Sequence, residues 1–418
     1  MSKDPDVLIA GAGPVGLFAA LSLTRRGVPV RIADRGWRAG THSYALALHP
    51  QSLGLLHEAG LLDHVMQRAY PVRSIGLYDS EGKHASIELS EFPGTWNCLA
   101  VLRQDALEDL LEDALRDMGV KVQWSHEVFS LTPADNHVAA RVDKFEKDSM
   151  GYSVSHTEWV LAKSLTYNVP FVIGADGHRS RIRRSLKIDF PEVSPAQHYA
   201  VFEFRTNAEL GDELRLVLNG HTTDVLWPLP DGYCRWSFEM LDYQLPAERL
   251  KDRSLSQPST AEFPVLTEEH LREFLAARAP WFHGSIGEVA WRNVVRFERR
   301  LAPRFGAGRM WLAGDAAHLT GPVGVQSMNL GLSEADHLAG IIAGGGKSAA
   351  FDNYNAAWTA EWSKLMGVTS GLHSDSETDP WIAARGARLL ACLPGHGEGL
   401  ADLAAQVGLA VAAGASDS

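Results

Sequence analysis

Val7-Leu8-Ile9-Ala10-Gly11-Ala12-Gly13-Pro14-Val15-Gly16 is the stretch on which the fold turns. Its first four residues form a short apolar run of the kind that makes a fully buried strand. The glycines follow at once. A helical pattern then runs from Val15 to about Arg26, with Leu17, Ala20, Leu21 and Leu23 on its apolar side. Gly27 is the expected helix C-cap. Val28 to Ala33 reads as a second strand, with Asp34 at its end. Each part has a physical task in holding a dinucleotide. Gly11 permits the tight turn out of the strand, Gly13 lets the backbone approach a pyrophosphate, and Gly16 lets the helix lie close to the sheet. Pro14 and Val15 complete the turn into the helix, whose N-terminus offers unpaired amide hydrogens to the phosphates. Asp34 can accept hydrogen bonds from adenosine ribose hydroxyls. The turn by itself does not separate FAD from NAD.

Two further stretches have the same strand-into-turn form. Phe171-Val172-Ile173-Gly174-Ala175-Asp176-Gly177 continues into His178-Arg179-Ser180-Arg181-Ile182-Arg183. Arg309-Met310-Trp311-Leu312-Ala313-Gly314-Asp315-Ala316-Ala317-His318 is followed by Pro322, Gly324 and Asn329. In this order and spacing the three stretches resemble the single-component FAD-dependent aromatic hydroxylases, the p-hydroxybenzoate hydroxylase-like class, over roughly residues 5–365. The resemblance implies an α/β fold: a Rossmann-like FAD-binding domain, an interleaved β-sheet substrate domain and a C-terminal helical tail. Residues 1–77, 101–187 and 285–370 are expected in the first, 78–100 and 188–284 in the second, and 371–418 in the tail.

The resemblance also implies the cofactor contacts. Asp176 belongs to the Asp-Gly motif, with Ile182 where Val is usual, and Gly314 and Asp315 form the Gly-Asp motif. Pro322, Gly324, Val325 and Asn329 follow it. Arg103, before the helical segment Gln104 to Leu111, is expected on the flavin chain, and Val128, within Trp124 to Ser130, at the adenine. Elementary chemistry agrees. A carboxylate such as Asp315 at the end of a buried strand can bind ribityl hydroxyls, which NAD lacks. Pro322-Val323-Gly324 lets the backbone approach a flat isoalloxazine ring. Gln326 to Ala339 reads as a helix whose N-terminal dipole would stabilise the anionic reduced flavin. Two departures stand out. Tyr44 occupies a position where the family often has arginine, which leaves phosphate neutralisation to Arg35 or Arg38. Val325 and Ser327 stand where many members have glycine or another small residue, so this loop is expected to restrict flavin movement.

Between Ile188 and Trp281 the pattern changes to short strands at Ala200–Thr206, Leu214–Leu218, Thr223–Leu229 and Tyr233–Met240, with a helix at Leu271–Ala277. In the last strand Cys234, Trp236, Phe238 and Met240 share one face; Tyr233, Arg235, Ser237 and Glu239 share the other. In the family such a sheet roofs the flavin. Phe202, Phe204, Trp227, Tyr233, Trp236 and Phe238 gather here, as sheet core or as the wall of an aromatic pocket. Trp227, Arg235 and Trp236 are the candidate substrate contacts. His49, His221 and Arg235 are possible bases, and the sequence singles out none of them, so the catalytic residue stays unassigned.

Composition closes off other classes. The chain has 51 Asp+Glu against 39 Lys+Arg, a net charge of −12, which argues against a nucleic-acid partner. Cys98, Cys234 and Cys392 fit no disulfide or zinc spacing. His42, His49, His57 and His64 lack companion metal ligands and read as polar positions on a loop and helix; no metal is expected. The apolar run Val7 to Leu23 follows Asp4 and Asp6 and is broken by glycines, unlike a signal peptide. No other run is long enough to span a bilayer. A cytoplasmic protein, monomer or homodimer, is expected, with no membrane partner. Ala383 to Ala413 reads as helices packed on the body.

The activity implied by the resemblance is a monooxygenase acting on an aromatic or polyphenolic, polyketide-like small molecule. NADPH or NADH would reduce the FAD transiently, and O2 would yield a flavin hydroperoxide that delivers one oxygen atom. No second nucleotide-binding turn is present, which fits a reductant without a domain of its own. Alternatives on the same scaffold are a reductase, cyclase or oxidase. A halogenase is disfavoured because Trp227-Pro228-Leu229-Pro230 does not match its signature. A non-catalytic flavin-binding protein is the reading from a different class.

Overall fold

The three motif strands lie side by side. In a five-stranded sheet the order is Gly306–Ala307, Met310–Leu312, Phe171–Gly174, Val7–Ala10, Val30–Ala33. The last four run parallel, with Val7 opposite both Phe171 and Val30, and Val172 opposite Met310. Their carboxyl ends therefore meet along one edge. There Ala175 N donates to Ala10 O at 2.8 Å and Ala313 N to Gly174 O at 3.0 Å. The crevice outside such ends is where a doubly wound sheet binds its ligand. This computed structural model describes residues 5–37, 46–91, 96–150, 156–241, 266–369 and 371–411.

Glycine is required where the first strand turns. Gly11 has φ +101°, and a Cβ there would stand 2.1 Å from Ala175 O. A Cβ on Gly16 would stand 2.0 Å from Gly11 O, so the Pro14–Arg25 helix can begin this close only without a side chain. That helix buries Leu17, Ala20, Leu21 and Leu23, as its periodicity requires. Gly27, at φ +76°, ends it.

The second large sheet has eight strands, in the order His318–Leu319, Val289–Leu301, Glu192–Arg205, Tyr233–Met240, Thr222–Pro228, Glu213–Asn219, Ser74–Asp79, Gly82–Glu88. It takes in Ser74–Asp79, across the expected boundary at 77/78, and Val289–Leu301, beyond the one at 284/285. A long strand obeys its pairing partner rather than a motif boundary: Val289–Leu301 follows Glu192–Arg205 over nearly its whole length. At its far end Leu301 pairs with His318, which ties this sheet to the Gly-Asp stretch. One face carries Phe202, Phe204, Trp236 and Phe238 into a separate core closed by the Glu268–Arg278 helix and Phe282.

Beyond the Ser348–Leu365 helix, the expected tail does contain helices, at Pro380–Ala383, Gly386–Leu389 and Gly397–Ala405. It also contains two short paired strands, Leu372–Ser374 and Leu409–Val411, that bracket them. Leu389, Leu393, Leu400 and Leu403 join the main core. Among the described residues no helix is long and apolar enough to cross a membrane, and no group of His, Cys, Asp and Glu could hold a metal ion.

Candidate active site

A cavity of about 700 Å³ opens at the carboxyl edge of the five-stranded sheet. Gly11, Gly13, Pro14, Val15, Asp34, Arg35, Val128, Asp176, Asp315, Pro322 and Val325, all read from sequence as cofactor contacts, line it. At Gly13 an added Cβ would meet nothing within 4 Å, so the space beside that backbone is cavity. Asp34 is held by its own turn: Oδ2 accepts from Ala12 N at 2.7 Å and Oδ1 from Gly36 N at 2.6 Å. Asp315 Oδ1 accepts from the Ser327 hydroxyl at 2.6 Å.

Gly16 has the packing role its sequence reading gave it, and several other expected contacts lie off the cavity wall. Gly16, Gly314, Gly324 and Asn329 do not line the cavity. Gly16 and Gly314 sit beneath it, with Gly314 N donating to Glu334 Oε2 at 2.8 Å. Asn329 is buried and internally satisfied: Oδ1 accepts from His49 N and Ser52 Oγ, while Nδ2 donates to Ala47 O and Val325 O. These bonds position the loop. Val325 has φ +47° and ψ +36°, a left-handed conformation that a β-branched side chain rarely adopts. Glycine suits that position, and Asn329 helps hold valine there. Gly324 offers its carbonyl to His49 Nε2 at 2.9 Å. His49 is buried where the loop enters the Pro50–Glu58 helix; its burial lowers its pKa to about 3, which keeps it neutral. Arg103 does not line the cavity and donates to the carboxylate of buried Glu203, while Gln104 does line it. His221 is exposed in a hairpin turn, away from the cavity. Tyr44, Arg38 and His42 lie outside the described residues.

Sequence reasoning did not assign His178, Arg179, Arg181, Arg296, Phe297 or Glu298 to the site, yet all line it. The first three continue the Asp-Gly stretch, and their basic character was a usable signal. Arg296, Phe297 and Glu298 belong to a strand of the other sheet, and no local motif marks them.

A model of the FAD binding domain family matches residues 4–366. The chain belongs to this FAD-binding family. It is 30% identical over 373 residues to 6-methylpretetramide 4-monooxygenase of Streptomyces rimosus, covering 87% of this chain and 61% of that protein. It is 27% identical to pentachlorophenol 4-monooxygenase of Sphingobium chlorophenolicum, covering 96% and 67%. The solved structure of OxyS anhydrotetracycline hydroxylase from Streptomyces rimosus superposes with a TM-score of 0.61 at 25% identity, over 93% of this chain and 69% of that one. The chain thus spans about three fifths of the length of the first of these relatives.

The residues present fit FAD. Gly13 is the sharpest indicator: an added Cβ would meet nothing within 4 Å, so the backbone at the helix N-terminus is open to a pyrophosphate. Asp176 is braced on the same wall, its Oδ2 accepting from Arg181 N at 2.6 Å. Arg35, Arg179, Arg181 and Arg296 bring positive charge to the same wall, where an FAD pyrophosphate needs it.

The eight-stranded sheet meets this cavity with the face opposite its aromatic core. Leu46, Val201, Trp227, Arg235, Ser237, Phe297 and Pro322 enclose a recess, of which Phe297 and Pro322 also line the large cavity. Trp227 and Arg235 are register partners on adjacent strands and share this face. Arg235 is held by Glu203 Oε2, at 2.8 Å from Nη2. Trp236, one residue on, faces the other way and stacks on Phe238 with ring centroids 5.0 Å apart. It is core, which removes it from the substrate candidates.

Proposed function

We propose that this protein is an NAD(P)H- and O2-dependent monooxygenase that hydroxylates an aromatic or polyketide-like small molecule. The observation that carries this reading is the junction of the two sheets. An aromatic and arginine-bearing face, Trp227, Arg235 and Phe297, closes directly on the FAD cavity through residues common to both. Relatives named as phenol and tetracycline-pathway monooxygenases support it.

In this reading Gly13, Pro14 and Val15 present the helix N-terminus to the pyrophosphate, Asp34 holds the adenosine ribose and Asp315 the ribityl chain. Pro322 and Val325 face the ring, and the Gln326–Ala343 helix directs its positive end toward the pyrimidine side. FAD, when bound, supplies electron acceptance and oxygen activation. The protein's own part is to orient the ring, exclude water and hold the substrate against it. Arg235, fixed by Glu203, would favour the phenolate form of an electron-rich ring, and Trp227 would set its plane. A cytoplasmic monomer or homodimer is the setting we propose.

The test is NAD(P)H oxidation in air with a panel of phenols, quinones and polycyclic aromatics, followed by mass analysis under 18O2. Stimulation by one class with a product heavier by one 18O atom is expected. Hydrogen peroxide as the only oxygen product with every compound would refute the proposal.

A further inference from the structure

None of residues 371–411 lines the cavity or the recess beside it. The segment 385–393 nevertheless reaches toward both. At one end Arg388 Nη1 donates to Asn219 O at 3.0 Å and to Thr222 O at 2.8 Å, and Arg385 Nε to Leu218 O at 2.9 Å. Asn219 and Thr222 are register partners at the turn between Glu213–Asn219 and Thr222–Pro228, and the second of these strands carries Trp227. At the other end the segment closes on the loop before the Gln326–Ala343 helix. Buried Gln326 donates from Nε2 to Leu393 O at 3.2 Å and to Leu390 O at 3.4 Å. A Cβ on Gly324 would stand 2.8 Å from Ala391 O, so the two backbones touch there.

The piece between these ends is stiff. Cys392 N donates to Leu389 O at 2.9 Å, Leu393 N to the same oxygen at 3.1 Å and the Cys392 thiol to Arg388 O at 3.2 Å. Leu389, Leu390, Cys392 and Leu393 are all buried. A close-packed turn transmits a displacement instead of absorbing it. Arg388 is held in the field of Asp224 and Glu239, two buried carboxylates of the eight-stranded sheet. The loop at the far end needs such support. Val325 lines the cavity in a left-handed conformation, φ +47°, between Gly324 and Gln326, the two positions the segment touches. A strained backbone of this kind persists only where its surroundings over-determine it.

We propose that segment 385–393 is a strut that sets the cofactor loop from the substrate sheet, with Arg388 and Gln326 as its positioning residues. This rests on the reading of Pro322 and Val325 as the residues that face the FAD ring. Neither positioning residue lines the cavity. Gln326 acts through Val325, and Arg388 through the tail. FAD that settles on the loop then tightens the 218–222 turn, no residue of which lines the cavity. By reciprocity, a substrate that orders the strand carrying Trp227 tightens FAD by the same factor.

The test is amide hydrogen exchange on the deflavinated full chain, with and without saturating FAD, together with FAD affinity from flavin fluorescence. In the wild type FAD is expected to slow exchange at residues 217–223 by about threefold or more. In Arg388→Met that response should vanish. Arg388→Met and Gln326→Met should each weaken FAD binding by about tenfold. The double variant should be no weaker than either, because both break one strut. Arg388→Lys, which keeps a donor for the two carbonyls, should recover most of the affinity. A merely structural role for Arg388 would lower the melting temperature and leave the response of 217–223 to FAD intact, which overturns the strut. So does a wild-type chain that binds FAD with no change at 217–223. Losses that multiply in the double variant also overturn it, and all three results leave the cofactor site standing. The wild-type exchange and Gln326→Met decide the matter even where Arg388→Met does not fold. A wild-type chain that takes up no FAD overturns the strut and the site reading together.

Discussion

The two walls of the site are built on different physical terms. The cofactor wall is made at the ends of parallel strands, where backbone amides, glycines and short carboxylates converge within a few residues of one another in sequence. The proposed substrate wall is one face of a mostly antiparallel sheet whose strands come from residues 74–88, 192–301 and 318–319, and each residue's role follows from which side of the pleat it occupies. On the first wall a side chain is mostly an intrusion. On the second a one-residue shift exchanges pocket for core. A substitution on the cofactor wall should therefore act through backbone clearance, and one on the substrate wall through burial.

The largest effect expected is at Gly11. With φ +101° and Ala175 O in the way, Gly11→Ala should yield a chain without bound FAD and with a markedly lowered melting temperature. Trp236→Ala should cost about 4 kcal/mol in urea unfolding by emptying the sheet core. An equal loss of substrate affinity in a stabilised background would break the assignment of that face. Arg235→Ala should cost about 3 kcal/mol, since Glu203 then stays buried with Arg103 as its remaining ionic partner. It should also raise KM for a phenolic substrate, whereas Trp236→Ala should not.

A smaller effect is set by pH. The folded-state pKa of His49 is lowered to about 3, so between its unfolded value of 6.5 and that level only the unfolded chain takes up the proton. Stability should fall as pH drops through this window, by about 2 kcal/mol between pH 6.5 and 5. His49→Gln, which can still donate to Gly324 O, should remove that part of the slope; urea midpoints against pH would measure it. The smallest effect is at Gly13. A methyl group there has space, so Gly13→Ala should melt like the wild type while binding FAD about tenfold more weakly, a loss of about 1.4 kcal/mol. A clear loss of stability in Gly13→Ala would show that this backbone serves the fold rather than the cofactor.

The strands, helices and glycine turns of the cofactor wall were legible because each is encoded locally. Val7–Ala10, the Pro14–Arg25 helix and the Tyr233–Met240 alternation were all read correctly to within a residue or two. What was not legible was which neighbour a polar side chain meets. Arg103 has the right position before its helix, but Glu203, a hundred residues on, draws it away. Asn329 follows the motif as a ligand contact would, yet four hydrogen bonds to its own fold satisfy it. His49 looks like a loop residue until the Gly324 carbonyl buries it.

By itself the sequence determined the parallel sheet, its glycine turns and the residues that meet at the cavity on their edge, because strand period, helix period and φ > 0 are properties of a few adjacent residues. Only the tertiary structure decided which face of the eight-stranded sheet looks at that cavity, that Phe297 and Arg296 complete it, and that segment 385–393 joins the 218–222 turn to Gly324 and Gln326. Those relations depend on contacts between segments distant along the chain, and no local pattern records a partner that folding brings from elsewhere.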